Sequence, residues 1–181
     1  TDGSITTTVS ANTTAGFSVI TYTGTEAAAT IGHGLGATPG FIIFKGREES
    51  SSAGNWVCYH KSLGATKYVL LNYTAAAGTS SGAFNDTEPT SSVITVNTFT
   101  STNSNQGMVA WCYAEKQGYS KFGSYDANAT NGDGTFIYTG FKPQFVLIKS
   151  TSARHWVLYD VKRSPINPLD DYILPASSNA E

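Results

Sequence analysis

The sequence predicts an all-β protein of two related sandwich-like units, the second incomplete. Three observations carry that expectation. Short runs rich in Val, Ile, Tyr, Phe and Trp are broken by Gly, Pro, Asn and Ser at a spacing of roughly 8–12 residues, as in sandwiches and barrels. No window shows the i, i+3, i+4, i+7 apolar stripe with caps that a long helix requires. The chain also repeats itself. Gly36, Pro39, Phe41 and Lys45 return as Gly140, Pro143, Phe145 and Lys149, each a step of 104. Trp56 and Tyr59 return as Trp156 and Tyr159 at a step of 100, and Tyr68 and Leu70 return as Tyr172 and Leu174, again at 104. Ordered recurrence of Gly, Pro, Lys, Trp and Tyr is the signature of an internal duplication.

Residues 1–13 read as an extended tail or linker, because only Ile5 and Val9 offer side chains to bury. The first unit, 14–116, has strand candidates at Phe17–Tyr22, Ala28–Ile31, Gly40–Lys45, Trp56–His60, Tyr68–Leu71, Val93–Asn97 and Met108–Ala114. The second unit, 117–181, has them at Lys121–Tyr125, Thr135–Tyr138, Phe145–Lys149, Trp156–Tyr159 and Tyr172–Leu174. The unbroken apolar runs Phe41–Phe44 and Phe145–Ile148 predict central strands covered on both faces. Helix is expected at most as single turns near Ser62–Thr66 and Pro168–Tyr172. The 104 step places Glu181 opposite Ala77, so the second copy lacks counterparts of Val93–Val96 and Val109–Tyr113. A sheet without those strands presents an open edge that invites a partner strand. A trimmed fragment is the alternative.

Composition limits the function. Charged residues make up 13% of the chain, against about 25% in typical soluble domains. The net charge is −2 and the eleven Lys and Arg are scattered, which argues against nucleic acid. No apolar run approaches the roughly 18 residues of a membrane-spanning helix.

Candidate chemistry is sparse. His33, His60 and His155 have no metal-ligand spacing, and no CxxC accompanies them. They read as ordinary turn and strand-end residues. Cys58 aligns with Leu158 and reads as a core hydrophobe; a Cys58–Cys112 disulfide requires their strands to be neighbours. Gly32-His33-Gly34-Leu35-Gly36 lacks the Lys-Ser/Thr and the following helix of a phosphate loop. No nucleophile motif and no privileged carboxylate pair stands out, so no catalytic residue, cofactor or metal is expected. Trp56 and Trp156 occupy equivalent strand starts and read as core. Tyr119 and Tyr125, beside an Asn- and Gly-rich loop, are the candidate ligand-binding aromatics. Asp126 and Asp133 are candidate oxygen donors in that loop, which lacks EF-hand spacing.

Several segments resemble a known kind of domain. They include Ala15–Gly24, Gly32–Pro39, Tyr59–Gly64, Tyr113–Glu115 with Gly118–Tyr125, and Arg163–Pro168. Together these resemble a repeat-containing β domain of uncharacterised function in virion and tail-fibre-like proteins of tailed bacteriophages, many of them marine. The resemblance covers about residues 14–181 and brings no catalytic residues with it. It implies an extracellular, virion-surface structural or adhesion module without enzymatic activity. Such a module would serve host attachment and associate with copies of itself, as a trimer or higher assembly, and with other virion proteins. A host surface glycan is a further expected partner; nucleic acid and membrane insertion are not. The alternatives are a capsid decoration or filament-forming subunit, a carbohydrate-binding module with Trp111 near Tyr119 and Tyr125, and, last, a glycan-degrading enzyme.

Overall fold

The computed structural model describes residues 2–48, 54–128, 133–163, 165–166 and 169–178. They form an all-β protein. Its main sheet has seven antiparallel strands in the order β1-β2-β9-β4-β5-β6-β7. These are β1 (Thr7–Asn12), β2 (Phe17–Thr23), β9 (Gly107–Tyr113), β4 (Phe41–Gly46), β5 (Val57–His60), β6 (Lys67–Leu70) and β7 (Gly78–Thr79). A ribbon of β3 (Ala29–Gly32) and β8 (Val93–Val96) lies apart from it, with two one-turn helices, α1 (Ser81–Phe84) and α2 (Thr100–Asn103). The second unit contributes a three-stranded sheet of β10 (Phe145–Lys149), β11 (Trp156–Asp160) and β12 (Tyr172–Ile173).

Period-two alternation sorts the side chains of the main sheet onto two faces. One face carries Ile20 and Tyr22 of β2, Ile42 and Phe44 of β4, and Met108, Ala110 and Cys112 of β9. The ribbon residues Ile31, Ile94 and Val96, with Ala83 and Phe84 of α1, complete that core. Each Ile, Val, Phe or Met among them contributes about 1.5–3 kcal/mol by leaving water. Phe84 meets Tyr59 edge-on at 5.6 Å and Phe44 at 5.8 Å. α1 is one turn long because caps close both ends: Ser80 Oγ accepts the Gly82 N–H (3.1 Å), and Asn85 adopts φ 53°.

Polar groups in this core are tied down. Asn103, fully buried, donates to Ala27 O (2.7 Å) and Asn97 O (2.8 Å) and accepts the Thr25 N–H (2.9 Å). Tyr22 donates its hydroxyl to Thr102 O. Neither α2 nor its polar anchor has an apolar signature, so both escaped the sequence reading.

The other face carries Phe41, Ile43, Cys58, Val69 and Leu71. It is met by Leu147 and Trp156 of the second sheet and by Phe122 of the connection between the units. Cys58 therefore sits in a different core from Cys112, β4 separates their strands, and both are free thiols. Burial pushes both thiols up, beyond the range in which a thiolate forms readily.

Residues 7–12, expected as part of a tail, form β1 and pair with β2 from Thr7↔Tyr22 to Asn12↔Phe17. Ile5, also buried, bridges to Ile31. This strand reads as a linker because one face, Thr8, Ser10 and Asn12, is wholly polar, yet its backbone groups complete a ladder.

The predicted strands at Lys121–Tyr125 and Thr135–Tyr138 are absent: no ladder forms at either. Their first-unit counterparts, β2 and β3, pair with β9 and β8. Neither β9 nor β8 has a counterpart among the described residues of the second unit, so these segments find no partner. For the same reason β10 is an edge strand with Phe145 57% exposed, not the central, doubly covered strand expected. The expected turn at Pro168–Tyr172 lies partly outside the described residues, and residues 61–63 form a turn without helix.

Candidate functional site

The two units share one piece of geometry closely. In the first, β4 meets β5 as Phe41↔His60, Ile42↔Tyr59 and Ile43↔Cys58. In the second, β10 meets β11 as Phe145↔Asp160, Val146↔Tyr159 and Leu147↔Leu158, the same pairs under the sequence correspondence. Cys58↔Val69 likewise matches Leu158↔Ile173. The turns agree too. Lys61 N–H donates to Gly40 O (2.9 Å) and Val161 N–H to Gln144 O (3.1 Å). Leu63 N–H and Arg163 N–H each reach back three residues, to His60 O (2.9 Å) and Asp160 O (3.0 Å).

The two meanders pack through equivalent faces. Leu147 and Trp156 lie over Phe41, Cys58 and Val69. Trp156 is 3% exposed and donates Nε1–H to Leu70 O (2.7 Å). Its counterpart Trp56 is half-buried and stacks on Trp111, with ring centroids 5.5 Å apart and planes at 11°. One tryptophan thus joins the units while the other packs on its own sheet.

The connection between units is pinned at Glu115. Its carboxylate accepts the Phe122 N–H (2.8 Å) and pairs with Lys61 Nζ (2.7 Å). Partial burial alone would raise this carboxyl, but the Lys61 ammonium and the Phe122 N–H hold it below its ordinary value. Phe122 is thereby set against Phe41, 6.1 Å between ring centroids.

On the first meander, the opposite face is roofed by the β3–β8 ribbon and the helices. On the second, Val146, Ile148, Val157 and Tyr159 have no such roof among the described residues and are only half-buried. Elsewhere in the second unit Phe136 is 87% exposed and Tyr138 74%, and Phe145 lies exposed on the other face of β10 from Val146 and Ile148. Lys121 Nζ donates to Tyr138 O (3.1 Å) and sits 5.8 Å from the Tyr138 ring centroid. Among the described residues the outer edge of β10 has no partner strand.

Tyr119, 67% exposed, borders an open, shallow groove with Asn12, Thr14, Lys116 and Gln117. Tyr125 is exposed elsewhere on the connection, and Trp111 is engaged by Trp56. Asp126 and Asp133 are tied through backbone oxygens: Thr135 Oγ1–H donates to Asp126 O (2.8 Å) and Asn128 to Asp133 O. Residues 129–132 of that loop lie outside the described set. Among the described residues no group of three His, Cys, Asp or Glu forms a metal-ligand set, and no helix is long and apolar enough to cross a membrane.

His33, expected at a turn, is fully buried there. Its Nδ1 accepts the Leu35 N–H (3.2 Å) and its Nε2 lies 3.2 Å from Thr90 O, which fixes the neutral tautomer with Nε2 protonated. Burial lowers its pKa.

The fold is all-β, with two meanders of matching register, one roofed and the other open among the described residues. The family comparison places it more narrowly. Residues 1–181 match the family described as "Domain of unknown function (DUF7483)", and the chain belongs to that family. No curated protein and no solved structure matches it.

Proposed function

We propose that this chain is a non-enzymatic structural and adhesion module of a virion surface, of the tail-fibre kind, which assembles with copies of itself through its second unit. The observation that carries the reading is the open second meander: among the described residues β10 has no partner on its outer edge, and Val146, Ile148, Val157 and Tyr159 are only half-buried. The same meander in the first unit is roofed and edged on all sides, which shows how much burial the open one forgoes. Low charge and Thr-, Ser- and Asn-rich loops suit a hydrated outer surface, and the sequence resemblance supplies the virion setting. The open edge and the first unit's roofed core are both explained by a module that holds shape and joins neighbours.

The test is the mass of the 181-residue chain in solution, by light scattering after gel filtration. A trimer or larger species is expected. A monomer across the accessible concentration range overturns self-assembly as the role of the second unit.

A further inference from the structure

We propose that the groove beside Tyr119 binds one acidic pyranose, a sugar ring carrying a carboxylate. This names a ligand for the adhesion reading above and rests on it for the sugar's place in a surface glycan. It does not rest on self-assembly, because no residue of the second sheet lines the groove.

Two turns build the groove, 13–16 between β1 and β2 and 116–120 just after β9. It encloses about 460 Å³, within the roughly 300–1,000 Å³ of small-ligand sites. The second turn is closed by its own hydrogen bonds. Lys116 N–H donates to Ser120 O (3.2 Å) and Ser120 Oγ (3.1 Å), while the N–H groups of Tyr119 (3.0 Å) and Ser120 (2.9 Å) return to Lys116 O. Ser120 Oγ–H donates in turn to Ala114 O (3.2 Å), which ties the turn to the end of β9. Gly118, at φ 74°, lets the chain reverse in so few residues. Tyr119 therefore stands near the tip of a closed turn with its ring exposed. An aromatic face fixed in this way costs little conformational entropy on binding.

The cation is placed as well. Lys116 is half-buried because its stem crosses Gly16: a Cβ there would lie 2.9 Å from Lys116 Cγ and 3.0 Å from Cε. Packing of the stem limits where the ammonium can reach. Asn12 Oδ1 accepts the Ala15 N–H (2.9 Å), which leaves Nδ2 as a donor. Among the described residues neither Lys116 Nζ nor Asn12 Nδ2 has a hydrogen-bond or ion-pair partner. Lys116 is also the one charged residue that lines the groove.

These groups select the ligand. A cation with no carboxylate beside it suits one negative charge, and a carboxylate can accept from both Lys116 Nζ and Asn12 Nδ2. The Tyr119 ring offers an apolar face to the C–H face of a pyranose. The Thr14 hydroxyl and the Gln117 amide can each donate to and accept from ring hydroxyls. A nucleotide strand would also stack on Tyr119, but it calls for a cation at each of several phosphates.

The probes are the methyl glycosides of glucuronic, galacturonic and N-acetylneuraminic acid, titrated onto the isotope-labelled 181-residue chain and followed by its amide NMR spectrum. Methyl glucoside and thymidine monophosphate are the comparison ligands. At least one acidic glycoside should move the Ala15, Gln117 and Tyr119 amides at millimolar concentration, about tenfold more tightly than the glucoside. Lys116→Gln, which keeps most of the stem, should bring the acid down to the level of the glucoside. Tyr119→Ala should weaken acid and glucoside alike, and Tyr119→Phe should preserve both. Amides remote from the groove report that each variant stays folded.

The proposal is overturned if none of the acids moves those amides, if the glucoside binds as well as the acids, if the nucleotide binds more tightly, or if Lys116→Gln keeps the preference for acid. A monomer that binds the acidic sugar supports the groove and sinks self-assembly. An oligomer that ignores all three acids does the reverse.

Discussion

Trp156→Ala should release the second meander from the first unit without unfolding the latter. Trp156 is 3% exposed and lies among Phe41, Cys58 and Val69. A buried tryptophan removes about 150–250 Å² from water, which at about 25 cal/mol per Å² amounts to roughly 4–6 kcal/mol. Measured Trp truncations cost about 3–5 kcal/mol, since the site relaxes only partly. The indole hydrogen bond adds little beyond this. Leu70 O also accepts the Tyr73 N–H (3.3 Å), so it keeps a donor when the indole is gone. A loss of 3–5 kcal/mol raises the undocked population about 100- to several-thousand-fold. The half-buried Leu147 and the bond from Ala77 N–H to Thr151 O (3.0 Å) remain across the contact but do not replace the lost indole. Exchange mass spectrometry on β10–β12 reads this as faster exchange there, with β2, β4 and β9 nearly unchanged. Trp156→Phe, which keeps most of the apolar body, should show a much smaller effect. Exchange in β10–β12 that is unaltered in Trp156→Ala would refute the docking role of this residue.

Two further outcomes follow from the first unit. Asn103→Ala strips partners from Ala27 O, Asn97 O and the Thr25 N–H in a buried site, and should cost about 3 kcal/mol or more in urea unfolding; a loss below about 1 kcal/mol would show that water replaces the amide. His33 is held neutral by burial, with its pKa below the ordinary value despite the opposing influence of Asp2. A lowered folded pKa means stability is fully present above the unfolded value of about 6.5 and is lost as pH falls through the lower folded one. Unfolding midpoints should therefore begin to drop as pH falls below about 6.5, and a folded-state NMR titration of His33 centred at or above the unfolded value would contradict the burial argument.

What the sequence revealed follows from how each contact is encoded. The strands of both meanders were legible because their side chains alternate or run apolar, and their matched registers follow from matched turns at Lys61 and Val161. Cys58 could be read as core from its Leu158 counterpart, and it is buried on the face that the second unit covers. β1 was hidden because its stabilisation is a backbone ladder to β2, which any Thr-rich segment can make. Asn103 was hidden because a polar hub is defined by partners 6 to 78 residues away, none of which carries a local pattern. His33 was legible as a turn residue but not as a buried one, since its burial depends on the segment that leads into β8, where Ser92 O accepts the His33 N–H and Thr90 O meets its ring.

The failed expectations share one cause, and it bears on function. Phe145–Ile148, Lys121–Tyr125 and Thr135–Tyr138 have strand-forming side chains, yet only the first forms a ladder, and only on one side. Strand propensity in a half-buried surface is a statement about neighbours, not about the segment alone. β4 is central because β9 pairs with it along Phe41–Gly46, and β2 is ordered against the far side of the same β9. A single strand of β9's pattern therefore decides the state of two others. In the second unit β10 has a ladder only to β11 among the described residues, and the 121–125 segment is held by the first unit instead, Phe122 donating its N–H to Glu115 and packing on Phe41.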